Sequence, residues 1–225
     1  MWRSRSLPVS SRIPVFCRKG EGEIGARLHL VTGNRHSSDD IVFVVEKVRL
    51  WVDQVHLRWK GRSAREIYRL GSRLLDRGLL KPTQLVVHDR LDVALALRCG
   101  VHLPEAGLPV DRVRRLVGSR CRVGVSVHSV QAAKAAAARG ADYLLFGHIF
   151  PTASKPGVHP QGIHMLSRVV QAVNVPVVAI GGITPERIPE VMETGCAGVA
   201  VLSALMDSRE PGQTARQMRI CLDQG

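Results

Sequence analysis

The chain has 225 residues, 45% of them hydrophobic but only 4% aromatic, and its 32 Lys and Arg against 19 Asp and Glu give a net charge of +13. That length suits one α/β barrel or two small domains with an aliphatic core. No run reaches the roughly 18 apolar residues of a membrane span, and no compact apolar segment marks a signal peptide, so a cytoplasmic protein with no membrane partner is expected.

Five cysteines, Cys17, Cys99, Cys121, Cys196 and Cys221, form no CxxC pair and no Cys/His cluster at zinc spacing. Their odd number argues against a disulfide framework. The basic residues are spread along the chain without an aromatic stacking set or a recognisable reading helix, so nucleic acid is not expected as the partner.

Residues 1–26 mix Arg, Ser, Pro and Gly without periodicity and read as a loose basic extension; residues 27–225 read as one barrel domain. Eight β-rich runs follow: LHLVT (28–32), VDQVHLR (52–58), QLVVHD (84–89), GVHL (100–103), RVGVSV (122–127), DYLLFG (142–147), PVVAIG (176–181) and GVAVLS (198–203). Helices fill the intervals. Ser38 or Asp39 caps the first, Ser63 to Glu66 form a capping box for the second, and Ser129 starts an Ala-rich helix ended by Gly140. Thr184-Pro185-Glu186 opens a later helix that stops at Gly195. Strands too apolar to face water, each followed by a helix, imply a parallel sheet covered by helices. Eight such units in about 200 residues predict a (β/α)₈ TIM barrel, and the GxGxxG turn of a dinucleotide fold is missing.

In such a barrel the C-terminal strand ends share one mouth. They bring together Arg58 and Lys60 after strand two, His88 and Asp89 after three, His102 on four, Ser126 and His128 on five, and His148 after six. The loop behind His148 adds Thr152, Ser154 and Lys155. Arg58 and Lys60 share a face by the two-residue period and suit an anionic group. Gly181, Gly182, Leu202 and Ser203 end strands seven and eight, where backbone amides can cradle a phosphate. His148 follows a fully apolar run, a setting suited to an acid/base catalyst near neutral pH.

Taken together, LHLVT, HLRWK, VVHDR, GVHLP, GVSVHS, GHIFPTASKPG, PVVAIGGI and GVAVLSAL resemble the superfamily of thiamine phosphate synthase and thiazole tautomerase over roughly residues 28 to 205. The resemblance implies a TIM barrel that handles a thiazole ethyl phosphate in thiamine biosynthesis. HLRWK stands where the synthase pattern reads QLR-x-K, and His88-Asp89-Arg90 stands for its NDR. The synthase uses two aspartates to bind Mg²⁺. Asp89 matches the first, while GVHLPEAGLPV puts Gly107 at the second, with Glu105 nearby. The synthase also has a proline where His148 stands, whereas the tautomerase has a catalytic histidine there.

These two departures favour the tautomerase, an isomerase with no cofactor or metal. His148 is then catalytic; Arg58, Lys60, Ser126, Thr152 and Lys155 bind the substrate, and Gly181, Gly182, Leu202 and Ser203 bind its phosphate. Thiamine phosphate synthase and a non-catalytic phosphate-binding barrel or regulator are the alternatives. The expected partner is a small thiazole phosphate, and a homo-oligomer stays open.

Overall fold

Alternation of side chains along each strand decides what this fold encloses. The computed structural model describes residues 27–224, so the extension expected over residues 1–26 lies outside the described residues. In chain order the units are β1 (Arg27–Val31), α1 (Ser38–Val48), β2 (Gln54–Leu57), α2 (Ala64–Asp76), β3 (Leu85–His88) and α3 (Leu91–Leu97). They continue with β4 (Gly100–Leu103), α4 (Val110–Val117), β5 (Val123–Val127), α5 (Val130–Ala138), β6 (Tyr143–Gly147) and α6 (Gly162–Ala172). The last are β7 (Val177–Ile180), α7 (Ile188–Met192), β8 (Gly198–Val201), α8 (Ser203–Met206) and α9 (Pro211–Asp223). Every strand pairs in parallel with its sequence neighbour, and β8 closes on β1 with Ala200 opposite His29, so the predicted TIM barrel is the fold.

Outward-facing residues such as Leu28, Leu30, Val55, Leu57, Val87, Val101, Leu144 and Phe146 join the inner faces of the helices in one large aliphatic core. A separate small cluster of Val31, Tyr143, Leu145, Val178 and Ala200 packs inside the barrel, as the filled interior of this fold requires. Gly124 belongs to that interior for reasons of space. A Cβ there would overlap the Tyr143 ring and lie 2.5 Å from His102 Nδ1.

Local signals place the helices, with three adjustments. Ser63 forms its capping box with Glu66, and Ser129 Oγ accepts the Ala132 N–H, as expected. The cap of α1 is Ser37 rather than Ser38 or Asp39. Ser37 Oγ accepts the Asp40 N–H at 3.1 Å, and the Asp40 carboxylate accepts the Ser37 N–H at 2.9 Å, a reciprocal pairing open only to residues three apart. The second strand is shorter than its apolar pattern, because the Asp53 carboxylate accepts the Leu28 N–H at 2.7 Å and pairs with Arg219 before the ladder begins. Past Thr184 the chain makes a 3₁₀ turn over Pro185–Arg187 before α7, since Pro189 lacks the N–H that a regular helix would donate to the Pro185 carbonyl.

Candidate active site

The inward side chains of the first four strands form a row of imidazoles across the barrel. His29 Nδ1 lies 3.0 Å from His56 Nε2, and His56 Nδ1 lies 2.9 Å from His88 Nε2. His88 stacks on His102 with centroids 4.4 Å apart, in keeping with their direct pairing across β3 and β4. His102 Nε2 then meets Ser126 Oγ at 2.8 Å, and its Nδ1 lies 3.3 Å from the Tyr143 hydroxyl.

Burial holds all four rings neutral. It is the largest cause of lowered pKa at His29, His56, His88 and His102, and His56 falls to about 3. Positive charge adds to the effect: Arg122 bears on His29 and His56, and Arg58 and Lys60 bear on His88. A neutral imidazole carries one donor and one acceptor nitrogen, so the His29–His56–His88 row can run its N–H groups in either direction. His29 Nε2 has no partner among the described residues at the inner end, which makes it cheaper as an acceptor than as an orphaned donor. Of these residues His29 and His56 were not singled out by their strand-end position. They lie mid-strand, and the signal that finds them is the two-residue period that puts Gln54, His56 and Arg58 on one face.

At the mouth, Arg58 and Lys60 stand just beyond the end of β2, both close enough to His88 to depress it. The Arg58 N–H donates to Thr32 Oγ1 at 3.0 Å, but the half-buried guanidinium has no acidic partner among the described residues, and burial lowers its pKa. The Lys60 N–H donates to Asn34 Oδ1, and its ammonium is exposed and has no acidic partner among the described residues. Ser126 is turned toward His102, as given above.

Asp89 follows β3 with φ 56° and donates its N–H to the His102 carbonyl, while its exposed carboxylate makes no hydrogen bond or ion pair with the described residues. Glu105 is already engaged, accepting from the His128 N–H at 2.8 Å and from its Nδ1 at 2.7 Å. Gly107 closes a turn onto the Pro104 carbonyl and has no room for a side chain, a Cβ there lying 2.8 Å from Pro104 Cδ. The Mg²⁺ that the sequence resemblance implies is commonly held by one or two carboxylates together with substrate phosphates. Asp89 fits that smaller donor set.

His148 is buried, and its Nε2 donates to the Val158 carbonyl at 3.2 Å. It thus fastens the loop between β6 and α6, which carries half-buried Thr152 and exposed Ser154 and Lys155. Gly181 and Gly182 turn the chain after β7 with φ of 103° and 67°. A Cβ on Gly182 would lie 2.6 Å from the Pro151 carbonyl of the same loop, so only glycine permits this approach. Arg187 fixes the turn by donating to the Gly182 carbonyl at 2.6 Å and covering the Phe150 ring at 4.5 Å. Leu202 is half-buried beside the interior cluster, and Ser203 is exposed at the start of α8. Arg58, Lys60 and Asp89 gather around the outer end of the histidine row, whereas His148 sits under its own loop.

Comparison with known proteins corrects the reading of the reaction. A thiamine-phosphate synthase of Natronomonas pharaonis is 40% identical over 197 residues, covering 85% of this chain and 92% of its own, and one of Haloarcula marismortui is 36% identical over 194 residues, covering 84% and 91%. The structure of thiamine phosphate pyrophosphorylase from Pyrococcus furiosus superposes with a TM-score of 0.76 at 31% identity, over 88% of this chain and 96% of that one. A 3-hexulose-6-phosphate synthase from Salmonella typhimurium, at 16% identity and a TM-score of 0.69, shares the fold alone and covers 88% and 99%. The Natronomonas, Haloarcula and Pyrococcus proteins carry the name of a transferase, which overturns the expected tautomerase and its assignment as an isomerase. The two departures at Gly107 and His148 had been weighed as markers of a branch, and they do not outweigh identity across the whole barrel. The family model described as thiamine monophosphate synthase matches residues 28–205, and the chain belongs to that family.

Proposed function

We propose that the chain is a thiamine-phosphate synthase, joining a pyrimidine activated as its diphosphate to a thiazole ethyl phosphate. The thiazole nitrogen attacks the pyrimidine methylene carbon, a C–N bond forms as the C–O bond breaks, and pyrophosphate leaves with the electron pair. The observation that carries this reading is identity of 34–40% to proteins of that name over most of the barrel. The Arg58 guanidinium, half-buried and without an acidic partner among the described residues, supports it, because such a cation is stabilised by an incoming oxyanion.

Arg58, with Lys60 and Lys155, would hold the diphosphate and take up the charge that builds on it during transfer. Asp89 would hold a Mg²⁺ ion, which when bound supplies further charge neutralisation to the leaving group. Backbone amides at Gly181, Gly182, Leu202 and Ser203 would receive the phosphate of the thiazole, and Thr152 would contact it from the loop above. Ser126 and His88 line the space between, where neutral groups can hydrogen-bond a heterocycle in either sense. His148 has no proton to move in this reaction; it would keep the Thr152–Lys155 loop in place.

The test is to supply purified protein and Mg²⁺ with both substrates and follow thiamine phosphate. Product should appear only when both are present. Folded protein that binds the thiazole phosphate without making product would leave a phosphate-binding barrel and end the transferase reading.

A further inference from the structure

We propose that His56, His88 and His102 form a binding site for a divalent transition-metal ion of the zinc class inside the barrel, open toward the mouth. One nitrogen of each ring lies within 4.8 Å of a nitrogen of the other two. Three imidazoles around one Zn²⁺ at roughly 2.0–2.1 Å require nitrogens about 3.4 Å apart. The 2.9 Å approach of His56 Nδ1 to His88 Nε2 is close to that already. There the ion replaces the single proton shared by two nitrogens, and a modest rotation of His102 brings in the third.

The surroundings have what such a site needs. All three rings are held neutral, so their lone pairs are available without first losing a proton. Each inner ligand has a partner for the nitrogen that does not face the ion. His56 Nε2 meets His29 Nδ1, and His102 meets Ser126 or Tyr143 according to which nitrogen coordinates. Such contacts fix tautomer and ring orientation. Of the three residues only His88 is partly exposed, giving an entry path and leaving a fourth position for water or an oxyanion. Arg58 and Lys60, which bear on His88, favour an anion in that position. A nitrogen-only set selects Zn²⁺, Co²⁺ or Ni²⁺ and rejects Mg²⁺, which prefers oxygen. The site is therefore distinct from Asp89, and it stands whether or not the transfer reaction does.

Chelator-treated full-length protein titrated with Co²⁺ alone reads the site by the visible ligand-field bands of a four- or five-coordinate ion. One Co²⁺ per chain is expected, displaced by Zn²⁺ and not by Mg²⁺. His88→Gln, at the open end where folding is least at risk, should weaken binding by more than about 100-fold. His29→Gln, which removes only the partner of a ligand, should weaken it by roughly 10- to 100-fold. His164→Gln, on the exposed face of α6, should change nothing. Circular dichroism confirms that each variant is folded. Absence of Co²⁺ binding by wild-type protein, or binding that survives His88→Gln unchanged, overturns the proposal.

Discussion

The two sides of the barrel interior are built from opposite chemistry on the same scaffold. From β1 to β4 the inward positions hold His29, His56 and His88, joined nitrogen to nitrogen, and His102, which stacks on His88 and meets Ser126 and Tyr143. From β6 to β8 the inward positions beyond Tyr143 hold Leu145, Val178, Ile180 and Ala200, which pack with Val31 and the Tyr143 ring. Both sides belong to one closed ladder of parallel strands, so the contrast lies in the inward side chains. The apolar side ends in a backbone turn, Gly181-Gly182, whose positive φ angles only glycine adopts freely. The polar side is stable only while its buried rings stay neutral, and it delivers that constraint to the mouth at His88 and Arg58.

The largest effect is expected where the polar side meets the ligand. Arg58→Met keeps the bulk of the side chain and removes its charge, and kcat/KM for the pyrimidine diphosphate should fall about 100-fold, equivalent to about 3 kcal/mol. Steady-state kinetics with the diphosphate varied checks this, and an unchanged value would move the anion site to the apolar side. Next comes Gly124→Ala, which forces a methyl group against Tyr143 and His102 at the seam between the two sides. Denaturant melts should show a loss of about 1–3 kcal/mol.

Acid should act on the polar side alone. The four imidazoles have folded pKa values below the unfolded value of about 6.5, so the unfolded chain binds more protons below that pH. Stability should be level above about pH 6.5 and fall as the pH drops toward about 3, the value for His56, by roughly 1 kcal/mol per pH unit for each ring that stays neutral. Melts at pH 7 and pH 5 measure it. Replacing His29 by Gln should flatten the slope, whereas Val178→Ala should lower stability without changing the slope. The smallest effect is Ser126→Ala, which leaves His102 Nε2 without its 2.8 Å partner and should cost about 1 kcal/mol by the same melts.

The barrel was legible in the sequence because its strands are short apolar runs separated by capped helices, and Ser63 and Ser129 announce their helices by local chemistry alone. Boundaries slipped where a distant side chain took over a backbone group, as Asp53 does with the Leu28 N–H, and where two serines competed to cap α1. The strand-end rule puts Arg58, Asp89 and the two edges at Gly181-Gly182 and Leu202-Ser203 just beyond their strands, which is where the structure has them. It did not find the histidine row, because His29 and His56 are ordinary strand residues until barrel closure points them at one another. Nor could it foresee that the His148 ring turns to the Val158 carbonyl, a contact that depends on the path of the chain between residues ten apart. The choice of reaction rested on two positions. Gly107 packs against Pro104 and reports on a turn as much as on a metal, and His148 fastens a loop, so neither was a secure sign of the chemistry.

The central claim is that the mouth holds a diphosphate and a thiazole phosphate together and joins them. Its most direct test is pyrophosphate release from the pyrimidine diphosphate, measured with and without thiazole ethyl phosphate. Release should depend on the thiazole phosphate and match thiamine phosphate mole for mole. Release without the thiazole phosphate, or no release from folded protein supplied with both, would contradict the account.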